Sequence, residues 1–284
     1  MRIISDVEQW RTFADGQRRD GRRVGLVPTQ GALHAGHASL FEAASTRGDV
    51  VLATSFVNPR QFGDAGDLAS YPRTPESDHA LAEAHGVDCF VEPTLASMWP
   101  DFPAPTPTTV SVGGLRDVLE GAARHGHFDG VASVVAKLLV VTGPCRAYFG
   151  EKDFQQLAVV RQMVRDLSFA VEIVACPIVR DDDGLALSSR NVRLSHEGRR
   201  HALALSRAIA RVGEAPDTAS AHRLALRATL AHADVDVDYA DVVDAATLDP
   251  SSDSDSGEAR ALVAAVVDGV RLIDNGPVVL KGDA

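Results

Sequence analysis

Between residues 24 and 179 the chain alternates short apolar runs of strand length with longer stretches whose apolar residues recur at helical spacing. This alternation constrains the fold more than any other feature. Strands separated by helices run parallel and need helices packed on both faces of the sheet. The expected strands cover residues 24–29, 49–57, 88–91, 146–149 and 171–179, with residues 108–112 as one more. The expected helices run from a Ser5 cap to about Arg19, over 37–47, from Ser77 or Asp78 to a glycine stop at Gly86, over 131–141 and over 153–167. Residues 93–107 hold five prolines and read as an irregular connection. After Arg180 the character changes. A turn at 181–184 leads to helices at 195–211 and 218–232 and to strands of a small sheet at 235–243 and 259–268. Residues 250–258 are acidic and of low complexity, a solvated loop. The expected fold is therefore α/β: a parallel-sheet domain over residues 1–178, then a smaller α/β domain over 179–284 that closes over the site.

Composition narrows the function. A net charge of −11 argues against a general nucleic-acid binder, which would carry a basic face, but leaves room for a local cationic pocket. The three cysteines, Cys89, Cys145 and Cys176, are odd in number and widely spaced. They fit a reducing cytoplasm and read as small buried hydrophobes, with no disulfide framework and no zinc pattern. The first residues lack the apolar core of a signal peptide, and no apolar run reaches the ~18 residues of a membrane span. A soluble, cytoplasmic chain is expected.

In parallel sheets, ligands bind beyond the carboxyl ends of the strands. Three polar segments follow expected strands. The first, residues 27–40, turns through Gly31 and Gly36 and sets His34 and His37 around a glycine at the start of a helix. Such a turn points free N–H groups at one spot, and two imidazoles there can donate to phosphate oxygens or exchange a proton. Two surface histidines, one of them a local cap, are the plainer alternative. No Walker loop occurs. The second segment, Asn58 to Phe62, offers amides suited to a carboxylate or hydroxyl, or an ordinary Asn-Pro turn. The third, residues 148–156, offers Gly150 for close backbone approach and Lys152 as a compact positive charge. Asp153 and Gln156 also match a capping box, which for Asp153 weighs evenly with a ligand role and for Gln156 outweighs it. A further segment, 183–191, carries Ser188, Ser189 and Arg190, good phosphate partners, although either serine could be a helix cap. Residues 120–128 are basic and read as a solvated loop, with a lid as the alternative. The set contains no metal cage, no Ser-His-Asp arrangement and no cysteine nucleophile. It points to phosphate chemistry driven by positioning and electrostatics.

Six stretches in order, at residues 28–37, 56–62, 71–74, 126–131, 148–157 and 183–191, resemble the pantothenate synthetase (pantoate–β-alanine ligase) family of the HxGH nucleotidyltransferase superfamily. The resemblance covers about Val27 to Leu194; the C-terminal third matches only in length and pattern. It implies a Rossmann-like nucleotidyltransferase domain with a small C-terminal α/β domain, usually dimeric. It also implies ATP-dependent joining of (R)-pantoate to β-alanine through a pantoyl adenylate, releasing AMP and pyrophosphate, with Mg²⁺ bridging the phosphates. Carried over residue by residue, His37 matches the proton donor, with His34 and Lys152 beside it in the catalytic set. The implied ATP segments are Gln30, Gly31, Ala32, Leu33, His34, Ala35, Gly36 and His37; Gly150, Glu151, Lys152 and Asp153; and Val179, Leu187, Ser188, Ser189 and Arg190. Gln61 and Gln156 match the pantoate glutamines, Gln61 also lying near β-alanine, and this reverses the capping expectation for Gln156. Asn58, Arg124 and His127 are weaker matches in the substrate pocket and its lid. The departures are Gln30 and Leu187, each where the family usually has Met, His125 where it has Pro, and Ser77 in place of an acidic residue, so no protein ligand to the metal is implied. Within the same superfamily, a transferase building a dinucleotide or activated head group is the alternative enzyme. A non-catalytic nucleotide-binding protein is the alternative outside enzymes.

Overall fold

The structure is a computed structural model, which describes residues 1–63 and 65–282. The chain divides into two compact units. One comprises Met1–Glu151 with Gln156–Pro177, the other Lys152–Gln155 with Ile178–Ala284.

The first unit runs β1 (Arg2–Ile4), α1 (Val7–Arg19), β2 (Val24–Thr29), α2 (Ala35–Thr46), β3 (Val50–Ser55), α3 (Ala65–Ser70), α4 (Pro75–Ala84), β4 (Cys89–Val91), α5 (Leu95–Met98), α6 (Glu120–Ala123), α7 (His127–Thr142), β5 (Cys145–Gly150), α8 (Phe154–Asp166) and β6 (Val171–Cys176). Its six strands are all parallel, in the order β1-β4-β3-β2-β5-β6. The central strands β2 and β3 are apolar on both faces because both faces are covered. Val27, Val51 and Ala53 share one core layer with Leu40, Phe41 and Ala44 of α2. Leu26 and Leu52, one residue out of phase, are equally buried. Pro28 sits in β2 beyond the last residue that pairs with β5, so its missing N–H breaks no ladder bond on that side.

Several expectations change. Asp6, not Ser5, caps α1, accepting from Gln9 N. The helix α4 starts at Pro75 after Thr74, so neither Ser77 nor Asp78 begins it. Residues 108–112 form no strand. The basic segment 120–128 is not a solvated loop: it holds α6 and the start of α7, with Glu120, Gly121, His127 and Phe128 buried. A Cβ on Gly121 would meet Arg116 O at 1.8 Å, so this segment packs backbone against backbone. The three thiols are free and buried, and burial pushes Cys89 and Cys145 up to about 12. No described helix is long and apolar enough to cross a membrane.

The second unit adds α9 (His196–Val212) and α10 (Ala219–Leu230), capped by Ser195 and Thr218, and the strands β7 (Asp236–Asp244), β8 (Ser256–Val267) and β9 (Val270–Lys281). The strands form an antiparallel sheet in the order β7-β8-β9. Its apolar face packs with α9 and α10 through Leu205, Ala208, Leu226, Val242, Ala261 and Val263. The reading of the sequence omitted β9. Its Pro277 is tolerated because β9 is an edge strand. The loop at 250–258 is shorter than expected, since β8 begins at Ser256 and Ser251 is buried.

Candidate active site

From β2 the chain steps outward through β3 to β4, then returns to place β5 on the opposite side of β2. The crevice beyond the carboxyl ends of β2 and β5 is therefore the topological switch point, where open α/β sheets bind ligands. The 30–37 turn follows β2, the Asn58 turn follows β3, and Glu151 follows β5. Three adjacent strands thus deliver three of the expected segments to one edge.

The 30–37 turn is built from charge-assisted bonds to its backbone. Gly31 has φ +76°, and Ala32 has φ +48°, a left-handed conformation unusual for a side-chain-bearing residue. Asp78, 3 % exposed, holds that conformation. Its two carboxylate oxygens accept from Ala32 N at 2.9 Å and Leu33 N at 2.8 Å, and Thr74 donates its hydroxyl to the same group at 3.0 Å. A Cβ on Gly31 would lie 2.9 Å from Ser55 Oγ and 3.1 Å from Asp78 Oδ2, so glycine is required by both space and backbone. Reading the sequence missed Asp78 as a site residue, because its acidic neighbours in a first helical turn suggest only a response to the helix dipole.

The two histidines close the turn reciprocally. His34 is the N-cap of α2, and its Nδ1 accepts from Gly36 N at 3.1 Å. His37, three residues into the cap frame, accepts His34 N on its own Nδ1 at 3.2 Å. The rings lie 4.1 Å apart, tilted by 45°. An imidazole nitrogen that accepts carries no proton, so in each neutral ring the proton sits on Nε2. The capping expected on the plainer reading is present, and in the neutral rings it leaves Nε2–H as a donor. The first turn of α2 carries no acidic side chain, which favours an anion at that helix end.

Gln30 leaves its Nε2 buried and without a hydrogen-bond partner among the described residues. An unmade bond of this kind costs about 1–3 kcal/mol. Gln30→Met, the residue the family usually carries there, is expected to raise the thermal unfolding midpoint by a few degrees, roughly 2–4 °C per kcal/mol. A scanning calorimetry trace with an unchanged or lower midpoint would show that this amide is satisfied in solution.

Asn58 and Gln61 occupy a short 3₁₀ turn after β3, Pro59–Gln61. His127 begins α7 and is buried; its Nδ1 lies 2.8 Å from Gln61 O, and Arg124 reaches its Nε2 at 3.1 Å. Arginine only donates and a carbonyl only accepts, so His127 carries its proton on Nδ1 and braces the Gln61 backbone. The sequence suggested a substrate-pocket role for His127 and Arg124. In the structure His127 bonds the Gln61 carbonyl and Arg124 bonds His127. Gln156 lies half-buried in the first turns of α8, which begins one residue later than expected, at Phe154.

Lys152, Asp153, Val179, Leu187, Ser188, Ser189 and Arg190 belong to the second unit. Lys152 Nζ is 3.6 Å from Asp153. Asn275 of β9, buried, donates to Lys152 O at 2.8 Å and accepts from Arg260 Nε at 2.7 Å. The Arg260 guanidinium lies 4.3 Å over the Phe154 ring. The adjacent Asp274 grips Arg180 with two bonds of 2.6 and 2.9 Å, and Arg180 also donates to Gly184 O at 3.1 Å. Two neighbours on β9 therefore anchor the Lys152 backbone and the root of the 181–190 segment. The sequence offered no sign of either, because β9 itself was not read. Of the two serines that could cap a helix, Ser188 closes a local turn, with Arg190 N donating to Ser188 Oγ at 3.3 Å ahead of a 3₁₀ turn at Asn191–Arg193.

A parallel sheet with a histidine-bearing strand-to-helix turn at its switch point defines a Rossmann-like nucleotidyltransferase fold with a smaller C-terminal α/β unit. Comparison with known proteins narrows the class. The sequence profile of the family described as Pantoate-beta-alanine ligase matches residues 2–277, and the chain belongs to that family of ligases. Pantothenate synthetase from Chelativorans sp. (strain BNC1) is 50% identical over 280 residues, 97% of each chain. The crystal structure of pantothenate synthetase from Thermus thermophilus superposes with a TM-score of 0.88 at 45% identity, over 97% of this chain and 99% of that one. A pantoate-beta-alanine ligase from Francisella tularensis, complexed with beta-gamma ATP and beta-alanine, gives a TM-score of 0.79 at 30% identity over 97% of both chains.

Proposed function

We propose that this chain joins (R)-pantoate to β-alanine at the expense of ATP, giving pantothenate, AMP and pyrophosphate. In the first step a pantoate carboxylate oxygen attacks the α-phosphorus, a P–O bond forms, and the bond to pyrophosphate breaks. In the second the β-alanine amine attacks the acyl carbon, AMP leaves with the electron pair of the C–O bond, and the amine loses a proton. A carboxylate is a poor acyl donor, and adenylation supplies the leaving group. The first step brings anions together, so preorganised donors set its rate.

The observation that carries this reading is the pair of imidazoles committed to Nε2–H donors at the N-terminus of α2. Their roles are to bind phosphate oxygens through Nε2–H and, for His37 by family resemblance, to donate a proton to the departing pyrophosphate from the doubly protonated ring, in which Nδ1 has given up the bond from His34 N. By family resemblance, Lys152, Ser188, Ser189 and Arg190 supply further donors to the phosphates. Gln30 to His37, Gly150 to Asp153, Val179 and Leu187 line the nucleotide. Gln61 and Gln156 hold pantoate, and Gln61 also serves β-alanine. Magnesium bound with the triphosphate would neutralise part of the phosphate charge. The resemblance also supports a cytoplasmic homodimer.

A coupled assay of AMP release, with each substrate omitted in turn, tests the reading. AMP is expected only when ATP, pantoate and β-alanine are all present. AMP released without pantoate, or transfer of AMP to another acceptor, would replace the ligase with a different nucleotidyltransferase. ATP binding without turnover would leave a nucleotide-binding protein.

A further inference from the structure

The amide of Gln61 cannot choose which end it shows to a ligand, and the reason lies in Asn58. Asn58 is 1 % exposed and uses every hydrogen-bonding position of its side chain on protein. Its Oδ1 accepts from the indole N–H of Trp99 at 3.0 Å and from the backbone N–H of Arg60 at 3.3 Å. Its Nδ2 donates to Gly130 O at 3.1 Å and to Gln61 Oε1 at 3.0 Å. Three of these four partners have a fixed polarity. Indole and backbone N–H groups only donate, and a carbonyl only accepts. The orientation of the Asn58 amide is therefore determined by its neighbours. Reversing it would set the Trp99 and Arg60 donors against Nδ2 and the Gly130 carbonyl against Oδ1.

The frame around Asn58 is itself stiff. Two cations approach the Trp99 ring, the Arg60 guanidinium at 4.9 Å and Lys137 Nζ at 5.1 Å from its centroid. Gly130 lets α7 approach the 58–61 turn closely enough to bond. A Cβ there would stand 2.3 Å from Arg60 O and 2.8 Å from Gln61 Cα. His127 holds the Gln61 carbonyl from the other side.

We propose that Asn58 is a positioning residue that pins Gln61 with Oε1 inward, so that Gln61 presents its Nε2–H₂ to the substrate as a donor only. The Nε2 group donates to nothing among the described residues. Gln61 thereby selects an acceptor oxygen of the hydroxy acid, and Asn58 acts on substrate only through Gln61. This rests on the proposed role of Gln61 in holding pantoate.

The test uses the full-length chain. In wild type, with pantoate added alone and the side-chain amides followed by ¹⁵N NMR, the Gln61 Nε2 protons are expected to shift. The Asn58 Nδ2 protons are expected to stay in place and exchange slowly. Asn58→Asp still accepts from Trp99 and Arg60 but cannot donate to Gln61. It is expected to raise KM for pantoate about tenfold, with kcat and KM for ATP within about twofold of wild type. Pantoate-sensitive Asn58 protons, a static Gln61 amide, or equal losses in pantoate and ATP kinetics would overturn the relay alone. A wild-type chain whose AMP release ignores pantoate would overturn the relay together with the ligase reading. The wild-type NMR experiment decides the matter even if Asn58→Asp fails to fold.

Discussion

Asp78→Ala is expected to lower the thermal unfolding midpoint by roughly 6–10 °C and to cut pantoyl-adenylate formation by at least about a hundredfold. Both effects come from the same three bonds. A buried carboxylate that accepts the N–H groups of Ala32 and Leu33 and the hydroxyl of Thr74 makes charge-assisted bonds, each worth about 1.5–3 kcal/mol. Alanine strands two backbone donors. It also releases Ala32 from a left-handed conformation that costs about 1–3 kcal/mol unless its surroundings enforce it. Relaxation of that turn moves the N-cap of α2 and with it both imidazoles. A shift of about 1 Å at a catalytic group can cost about a hundredfold. Asp78→Asn separates the terms. Its Oδ1 can still accept one N–H, but its NH₂ faces the other donor, so it should fall between wild type and alanine in both measurements. Thermal melts and pyrophosphate exchange on the three proteins check this. Wild-type exchange in the alanine variant would show that the turn holds itself.

That Asp78 escaped a reading of the sequence while His34 and His37 did not has a physical reason. The histidine turn announces itself locally: an apolar strand, two glycines and a helical pattern lie within one short stretch. Asp78 meets that turn from 45 and 46 residues away, and nothing near it in the chain signals the contact. The same divide runs through the whole molecule. The parallel sheet was legible because strand length and helical spacing are local, whereas the order β1-β4-β3-β2-β5-β6, which makes the β2–β5 crevice a switch point, is a property of the folded chain. β9 was lost because a proline, a glycine and charged residues interrupt its apolar pattern. Its antiparallel pairing with β8 supplies the regularity that the sequence lacks. Asp274 and Asn275 were lost with it. Asn58 was seen as an amide suited to a substrate or to an ordinary Asn-Pro turn, since its place after a strand shows its chemistry and not its four partners.

His37→Ala is expected to leave the chain folded and to reduce adenylate formation by about 10²–10³, the usual loss for one preorganised donor. Alanine suits a first helical turn, and the bond it deletes, from His34 N to His37 Nδ1, is partly exposed and long at 3.2 Å, so little stability is at stake. The rate loss therefore reports on Nε2. His37→Gln sharpens the test. A glutamine three residues after an N-cap can reach back to the cap N–H, as in a capping box. That variant restores the bond made by Nδ1 and offers a neutral NH₂ near the place of Nε2. What it cannot do is exchange a proton near neutral pH. If His37 only binds phosphate, His37→Gln recovers most of the rate. If it also delivers a proton to the departing pyrophosphate, the thermal midpoint returns to the wild-type value and the rate stays depressed by about a hundredfold or more, the size typical of general acid catalysis. The second result is expected from the proposed role of His37 as proton donor, which a glutamine amide cannot fill. Near-wild-type adenylate formation in His37→Ala would remove this imidazole from the reaction altogether.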